Sequence, residues 1–123
     1  HLPMTKQTRN MIGIEQLRLM KPDALLINTS RGGIINESDL YQVMSEGHLG
    51  GAAIDVFQEE PYGGPLCEID RCLLTSHMGS MSIDCRSRME LEATEEAVRY
   101  LSGVELGNRV PEDEYDSQLM DRR

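Results

Sequence analysis

The chain has 123 residues, and its 12 Lys and Arg against 21 Asp and Glu give a net charge of −9 at pH 7. This length suits one ordinary domain, and 39% hydrophobic residues suffice for a modest core that is poor in aromatic mass. The acidic balance argues against general binding to nucleic acid or to an anionic membrane, because both require a basic patch. The longest apolar run, residues 24–27, is far shorter than the ~20 residues of a membrane helix, and no signal-peptide pattern is visible.

Cysteine usage points to a reducing compartment. Cys67, Cys72 and Cys85 form no C-x-x-C pair, and an odd number of scattered thiols does not suit a disulfide framework. We therefore expect a cytoplasmic protein. A zinc site would need four ligands at closer spacing, so no metal is expected. The chain begins at His1 in a stretch typical of the exit of a strand, and we expect it to be a piece of something longer.

In chain order, the first predicted element is a helix over residues 8–20, where apolar residues recur at near-helical spacing. The continuous apolar run 24–28 is typical of a strand buried on both faces of a parallel sheet. A second helix is predicted from the N-cap Asn36 to the stop at Gly47. Residues 49–56 predict a second buried strand, whose glycines permit close backbone packing.

The remaining elements are a loop, a short strand and a long helix. Residues 58–70, which are interrupted by Pro and Gly, are predicted as the loop, and residues 72–75 as the third strand. Residues 81–101 predict one long helix that Gly103 ends. The inner face of this helix is predicted to consist of Met89, Ala93, Ala97 and Leu101. The acidic segment 105–123 is predicted to be disordered, or ordered only by a segment absent from this chain.

Alternating helices and strands predict an α/β fold with a parallel sheet and right-handed crossovers. In such sheets ligands bind at the carboxyl ends of the strands. Three polar groups follow the predicted strands there: residues 28–31, Asp55 with Glu59 and Glu60, and residues 77–80. A cation, a carboxylate and an imidazole at neighbouring strand ends predict an acid/base site that can hold an anion.

Each of these side chains also has an ordinary structural interpretation. Arg31 can grip a carboxylate through two parallel hydrogen bonds, or it can form a surface salt bridge. His77 can act as a general acid/base, or it can be a strand-end histidine bonded to backbone. Glu60 can favour the protonated imidazole and fix its tautomer, or it can be a solvated loop acid. A buried Asp55 must find a partner, so it is predicted to hydrogen-bond.

Four motifs resemble a single enzyme family. They are His-Leu-Pro-Met-Thr at residues 1–5, Met-Lys-Pro-Asp-Ala-Leu-Leu-Ile-Asn-Thr-Ser-Arg-Gly-Gly at 20–33, Gly-Ala-Ala-Ile-Asp-Val-Phe at 51–57 with Glu60-Pro61, and Leu-Thr-Ser-His-Met-Gly-Ser at 74–80. In order and spacing they resemble the D-isomer-specific 2-hydroxyacid dehydrogenases, over residues 1 to about 102. The resemblance implies an oxidoreductase that transfers a hydride between NAD(P) and a D-2-hydroxy acid or 2-keto acid.

The resemblance also implies a role for each matching residue. Arg31 binds the substrate carboxylate and polarises the carbonyl, and His77 gives a proton to the carbonyl oxygen. Glu60 pairs with that histidine, and Asp55 holds the nicotinamide carboxamide. The positions implied to line the cofactor are Leu2, Pro3, Thr29, Ser30, Arg31, Asp55, His77, Gly79 and Ser80.

The family commonly has Thr-Pro-His where this chain has Thr75-Ser76-His77. Ser76 frees a backbone N–H and loosens the turn before the histidine, because it lacks the ring that fixes φ in proline. This departure concerns the aim of His77 and not its identity.

The resemblance implies that the matching part is the second half of a Rossmann-type doubly wound parallel sheet, followed by a long crossover helix. Residues 1–80 are expected to be the C-terminal half of a dinucleotide-binding domain, 81–102 an interdomain helix, and 103–123 an acidic tail that is disordered or packs on an absent substrate domain. The sequence contains no G-x-G-x-x-G, so the half that grips the pyrophosphate is expected to be missing. The long helix is then expected to expose an apolar stripe, which predicts self-association or partial disorder.

These observations predict a fragment of a dehydrogenase that is inactive by itself. NAD is the expected cofactor, with NADP not excluded, and a small 2-hydroxy or 2-keto acid is the expected substrate. The resemblance implies a homodimer for the full-length protein. The acidic balance and the short apolar runs predict that it has no nucleic-acid or membrane partner. The alternative is an NADH-sensing, corepressor-like binding protein on the same scaffold, in which the catalytic residue types can also persist.

Overall fold

Three short apolar runs form a three-stranded parallel sheet in the computed structural model, which describes residues 1–110. The strands are β1 (Leu25–Asn28), β2 (Gly51–Ile54) and β3 (Cys72–Leu74), and they lie in the order β1-β2-β3. The last residues of the three strands are register neighbours, so all three strands end at one edge of the sheet. The predicted α/β class and parallel sheet are confirmed.

The first helix, α1 (Ile14–Leu19), is much shorter than the predicted span of residues 8–20. Its early part is not helical because the backbone of Ile12 is hydrogen-bonded elsewhere: its N–H donates to Ile34 O, and its carbonyl accepts the N–H of Asn36. Asn10 also has φ 50°, which is outside the right-handed helical region. The prediction of one helix over this span is therefore wrong, since the apolar spacing continued into a segment that forms a parallel bridge instead.

The second helix, α2 (Glu37–Ser45), begins and ends where its sequence signals predict. The Oδ1 of Asn36 accepts two backbone N–H groups of the first turn, each at 3.1 Å. Gly47 follows the helix with φ 83°, a conformation that favours glycine. The apolar side chains of α2 join the strands and α1 in one core, which consists of Leu17, Ile35, Leu40, Val43, Met44, Leu49, Ala52, Ile54, Phe57 and Leu66.

The core lies on one face of the sheet only. Side chains on the other face are well exposed, with Leu25 at 70%, Ile27 at 67% and Leu73 at 65%. Successive side chains of a strand point to opposite faces, and α2 packs against one of these faces. The prediction that residues 24–28 form a strand buried on both faces is therefore wrong for the structure of this chain.

The segments around β2 and β3 agree closely with the predictions from the sequence. The predicted strand 49–56 is shorter, because Leu49 has φ 71° and only Gly51–Ile54 is extended and paired. The predicted loop 58–70 contains a single 3-10 turn, Pro65–Glu68, which buries Leu66 completely. The third strand forms as predicted and ends one residue earlier.

The chain folds as two units, His1–Met78 and Gly79–Arg123, of which the second is described to residue 110. The second unit contains α3 (Ile83–Leu101), which Ser82 caps by accepting the N–H of Cys85. This helix agrees with the predicted span 81–101. None of its described residues is buried, and the predicted inner face is exposed, with Met89 at 54% and Leu101 at 83%.

Residues 103–110, the beginning of the predicted acidic tail, contain no helix or strand, and residues 111–123 lie outside the described part. The division into residues 1–80, 81–102 and 103–123 stays a prediction, as does self-association through the apolar stripe. Within residues 1–110, no helix combines the length and the hydropathy that crossing a bilayer requires.

Candidate active site

The carboxyl ends of the three strands bring polar residues from distant parts of the first unit to one edge. The parallel ladder continues just beyond the strands, since Asp55 N–H donates to Asn28 O and Thr75 N–H donates to Ile54 O, each at 3.0 Å. The residues that follow β1, β2 and β3 are therefore neighbours, as the parallel topology predicts.

Asp55 is the centre of the hydrogen bonds at this edge and is only 8% exposed. Its Oδ1 accepts the hydroxyl of Thr75 at 2.6 Å and the N–H of Met78 at 2.8 Å. Its backbone carbonyl accepts the N–H of His77 at 2.8 Å. The prediction that a buried Asp55 finds hydrogen-bonding partners is confirmed, and those partners are the residues around His77.

His77 lies in a turn with φ 53°, in the left-handed region. This conformation costs a residue with a Cβ about 1–2 kcal/mol, so the surrounding contacts must hold it. The imidazole Nδ1 lies 3.1 Å from Glu60 Oε2, with both side chains partly exposed. Ser76 therefore stands in a turn that hydrogen bonds define without the proline of the family pattern.

Glu60 connects the loop after β2 to His77. Its Oε1 accepts the N–H of Phe57 at 3.0 Å, while its Oε2 bonds the imidazole. The Phe57 N–H, followed by the bond to His77, lowers the pKa of the Glu60 carboxyl below its ordinary value. Glu60 is therefore an ionised partner for the imidazole, and it is the carboxylate of the sequence cluster that bonds His77.

Arg31 stands on the loop after β1. Asn28, which is 6% exposed, anchors this loop: its Oδ1 accepts the N–H and hydroxyl of Ser30 at 3.1 and 2.7 Å, and its Nδ2 donates to Arg31 O at 3.2 Å. The exposed Arg31 guanidinium donates to Ser30 O at 2.7 Å. The guanidinium is thus attached to a hydrogen-bonded loop and is accessible to an anion.

Gly32 brings the Arg31 loop against the loop that carries Glu60. A Cβ at this position would lie 1.9 Å from Phe57 O and 2.0 Å from its carbonyl carbon, which only glycine avoids. Sequence reasoning identified a turn here and did not identify this contact. It also did not identify Thr75 as the partner of Asp55, or Asn28 as the anchor of the loop.

The remaining predicted cofactor residues are less closely connected to this cluster. Leu2 and Pro3 are exposed, and the carbonyl of Pro3 accepts the Thr8 hydroxyl at 2.8 Å. Thr29 is exposed on the Arg31 loop. Gly79 and Ser80 belong to the second unit. Their cofactor roles stay predictions.

A cleft of about 440 Å³ lies against the Glu60–His77 pair. Its walls include the rings of Phe57 and Tyr62, which stack with centroids 4.3 Å apart, and the side chain of Leu74. Burial raises the pKa of the Tyr62 hydroxyl. The pair therefore has an apolar wall on one side.

Within residues 1–110, no group of three or more His, Cys, Asp or Glu side chains comes together as metal ligands. The chemistry of the edge is that of an acid/base pair, an accessible cation and a buried carboxylate. Such a set can bind a carboxylate and exchange a proton with a neighbouring oxygen.

Comparison with known proteins identifies the family. The sequence model described as D-isomer specific 2-hydroxyacid dehydrogenase, NAD binding domain, matches residues 1–79. The chain belongs to the D-isomer-specific 2-hydroxyacid dehydrogenases. The family predicted from the motifs is confirmed, and NAD is the cofactor of the matched domain.

Relatives of this chain include enzymes that are named for different activities. A glyoxylate reductase of Korarchaeum cryptofilum is 41% identical over 105 residues, which cover 84% of this chain and 32% of the relative. The crystal structure of a glyoxylate reductase from Paecilomyes thermophila superposes with a TM-score of 0.86 at 31% identity, covering 92% of this chain and 35% of that one. A D-lactate dehydrogenase from Aquifex aeolicus, complexed with NAD and lactic acid, superposes with a TM-score of 0.75 at 27% identity over 84% of this chain and 36% of that one. The chain thus spans about a third of the length of these relatives.

Proposed function

We propose that this chain works in an NAD-dependent oxidoreductase that reduces a 2-keto acid to a D-2-hydroxy acid. The observation that carries the proposal is the hydrogen bond of 3.1 Å between Glu60 and His77, on the sheet edge that also carries the Arg31 loop. These residues match the acid/base, carboxylate and arginine positions of the family motifs one by one.

Glu60 sets the state of His77. An ionised carboxylate at Nδ1 favours a ring that carries a proton there, and Nε2 is then the nitrogen that can pass a proton to a substrate oxygen. The Phe57 N–H holds Glu60 from the other side, so the carboxylate does not depend on the imidazole for its charge. In the reduction His77 donates its proton to the carbonyl oxygen of the keto acid.

Arg31 supplies the positive charge for the substrate. Its planar guanidinium can bind the substrate carboxylate through two parallel hydrogen bonds, and it favours the negative charge that develops on the carbonyl oxygen. The bonds from Asn28 to this loop keep the arginine in place before the substrate arrives. This preorganisation lowers the cost of reaching the transition state.

The residues present fit the nicotinamide end of NAD. The buried carboxylate of Asp55 is an acceptor suited to a carboxamide N–H, and Thr29 offers an exposed hydroxyl group, whereas the Ser30 hydroxyl donates to Asn28 Oδ1. When bound, the nicotinamide supplies the hydride chemistry. The choice between NAD and NADP, the homodimeric state and the cytoplasmic location stay predictions from the sequence.

The proposal is tested with the full-length product of the gene that encodes this chain. We expect oxidation of NADH or NADPH that depends on an added 2-keto acid such as glyoxylate or pyruvate. His77→Asn is expected to lower kcat by about 10²–10⁴-fold, as loss of a general acid does. Arg31→Lys is expected to raise KM for the keto acid, because lysine lacks the planar fork.

Glu59→Gln is the matched control, since this exposed residue neighbours Glu60 and is expected to leave turnover unchanged. Tight NADH binding without turnover on any 2-keto acid would contradict the proposal and support the sensor. A His77→Asn protein with the kcat of the wild type would also contradict it.

The 123-residue chain by itself is expected to bind NAD weakly and to show no turnover, because its sequence has no G-x-G-x-x-G to hold the pyrophosphate. Calorimetric titration with NAD checks this expectation. A micromolar dissociation constant for the chain alone would overturn it.

A further inference from the structure

Thr75 occupies a defined place at the end of β3. Its backbone N–H donates to Ile54 O at 3.0 Å, so β2 sets the position of the residue. Its side-chain hydroxyl then donates to Asp55 Oδ1 at 2.6 Å, a short O–H···O hydrogen bond. The motif at residues 74–80 contains this threonine, but the resemblance implies no role for it in the site.

The same aspartate closes the turn on both sides of His77. Asp55 Oδ1 accepts the N–H of Met78 at 2.8 Å, and the Asp55 carbonyl accepts the N–H of His77 at 2.8 Å. Thr75, His77 and Met78 therefore all bond to one residue of the neighbouring strand end. A left-handed residue such as His77, with φ 53°, persists only where its surroundings hold it in this way.

Ser76 increases the demand on these bonds. A proline at this position would restrict the backbone immediately before His77, whereas serine leaves its φ free. Hydrogen bonds to Asp55 must then hold the turn. The Thr75 hydroxyl is the side-chain donor among them that substitution can remove without changing the backbone.

We propose that Thr75 is a positioning residue of the reduction: its hydroxyl holds the Asp55 carboxylate, which holds the turn that aims His77 at the substrate. The inference rests on the proposed function for its effect on turnover. Thr75 itself donates no proton to substrate and acts through Asp55 and His77.

Thr75→Val tests the proposal, because valine has nearly the same shape and no donor. In the 123-residue chain we expect amide hydrogen exchange at His77 and Met78 to become about tenfold faster or more, while the amides paired between β1 and β2 keep their protection. In the full-length gene product we expect kcat for glyoxylate with NADH to fall about tenfold, with KM for glyoxylate changed less than twofold because Arg31 is untouched.

Thr75→Ser restores the hydroxyl and is expected to return both the exchange rates and kcat to within about twofold of the wild type. Thr94→Val is the matched control, since the Thr94 hydroxyl donates to Glu90 O at 2.7 Å within α3 of the second unit. It is expected to change neither readout.

Unchanged exchange at His77 and Met78 in Thr75→Val would overturn the proposal, as would a serine variant as impaired as the valine variant. A valine variant that exchanges faster and keeps the kcat of the wild type would overturn the catalytic part. If the amides of β1 and β2 also lose their protection from exchange in Thr75→Val, the serine variant tests the proposal instead. Thr75→Ser must then keep both the protection of these amides and the kcat of the wild type. If the wild-type protein does not turn over any keto acid, the proposed function fails, and the exchange measurement still decides what Thr75 holds.

Discussion

Gly32→Ala should disturb the candidate site through the backbone, although Gly32 bears no functional group. The added Cβ would lie 1.9 Å from Phe57 O, whereas ordinary contact begins near 3.4 Å. The Arg31 loop and the loop after β2 must therefore separate by about 1.5 Å. The perturbation reaches Glu60 because Phe57 N–H donates to its Oε1 at 3.0 Å.

The expected magnitude follows from this displacement. Overpacking of a tight contact costs about 1–3 kcal/mol of the free energy of unfolding. A shift of about 1 Å in a group that supports the reacting atoms can cost ~100-fold in rate, so we expect kcat/KM of the full-length gene product to fall by about that factor. The pKa of Glu60 should rise toward its ordinary value, since the Phe57 N–H is the largest cause of its lowering.

Two measurements on the 123-residue chain check the structural part. Urea unfolding gives the change in the free energy of unfolding, and NMR titration of the Glu60 carboxyl gives the direction of its pKa. Gly63→Ala is the matched control, because a Cβ at Gly63 meets nothing within 4 Å. Equal unfolding midpoints for Gly32→Ala and the wild type, with an unchanged Glu60 titration, would refute the reasoning.

Three further predictions concern charge, burial and capping. Glu60→Gln keeps the shape of the side chain but removes the charge that favours a protonated imidazole. As the pH rises, the rate of keto-acid reduction by the full-length gene product should therefore begin to fall at a lower pH than in the wild type. Cys72, whose thiol pKa burial raises, should react with iodoacetamide at pH 8 more slowly than the exposed Cys67, measured by mass spectrometry. Asn36→Ala removes the acceptor of two amide groups in the first turn of α2, and should lower the free energy of unfolding by about 1 kcal/mol in urea.

Each of these predictions has its own contrary result. An unchanged pH–rate profile for Glu60→Gln would remove Glu60 from its role, and Glu59→Gln is expected to keep the profile of the wild type. Equal labelling rates for Cys67 and Cys72 would contradict the burial argument. An Asn36→Ala chain with the unfolding free energy of the wild type would show that water replaces the cap.

The lowered pKa of Glu60 determines the pH range in which its pair with His77 is present. Glu60 is ionised in the folded chain down to a pH below its ordinary pKa, so its pair with His77 is present at neutral pH. As the pH falls through the lowered value, Glu60 is protonated and the pair is lost. The contribution to stability is small, because both side chains are partly exposed to solvent.

The order of elements and the sheet edge that carries the candidate site follow from local patterns in the sequence. The apolar runs, the Asn36 cap and the Gly47 stop each act within a few residues, and the alternation of helix and strand requires parallel crossovers. The motifs identified the family, and the match of the family model to residues 1–79 confirms it. The same periodicity failed over residues 8–20, because apolar spacing does not register the backbone bonds of Ile12 to another segment.

Only the tertiary structure determined which contacts hold the residues of the candidate site. The Thr75–Asp55 bond joins residues 20 apart in the chain. The Gly32–Phe57 contact joins two loops, and neither loop's sequence predicts that they meet. The exposed sheet face is likewise decided by which elements pack on it and not by the hydropathy of β1. Local spacing determines which side chains a strand end offers, whereas their mutual distances depend on how separate segments pack together.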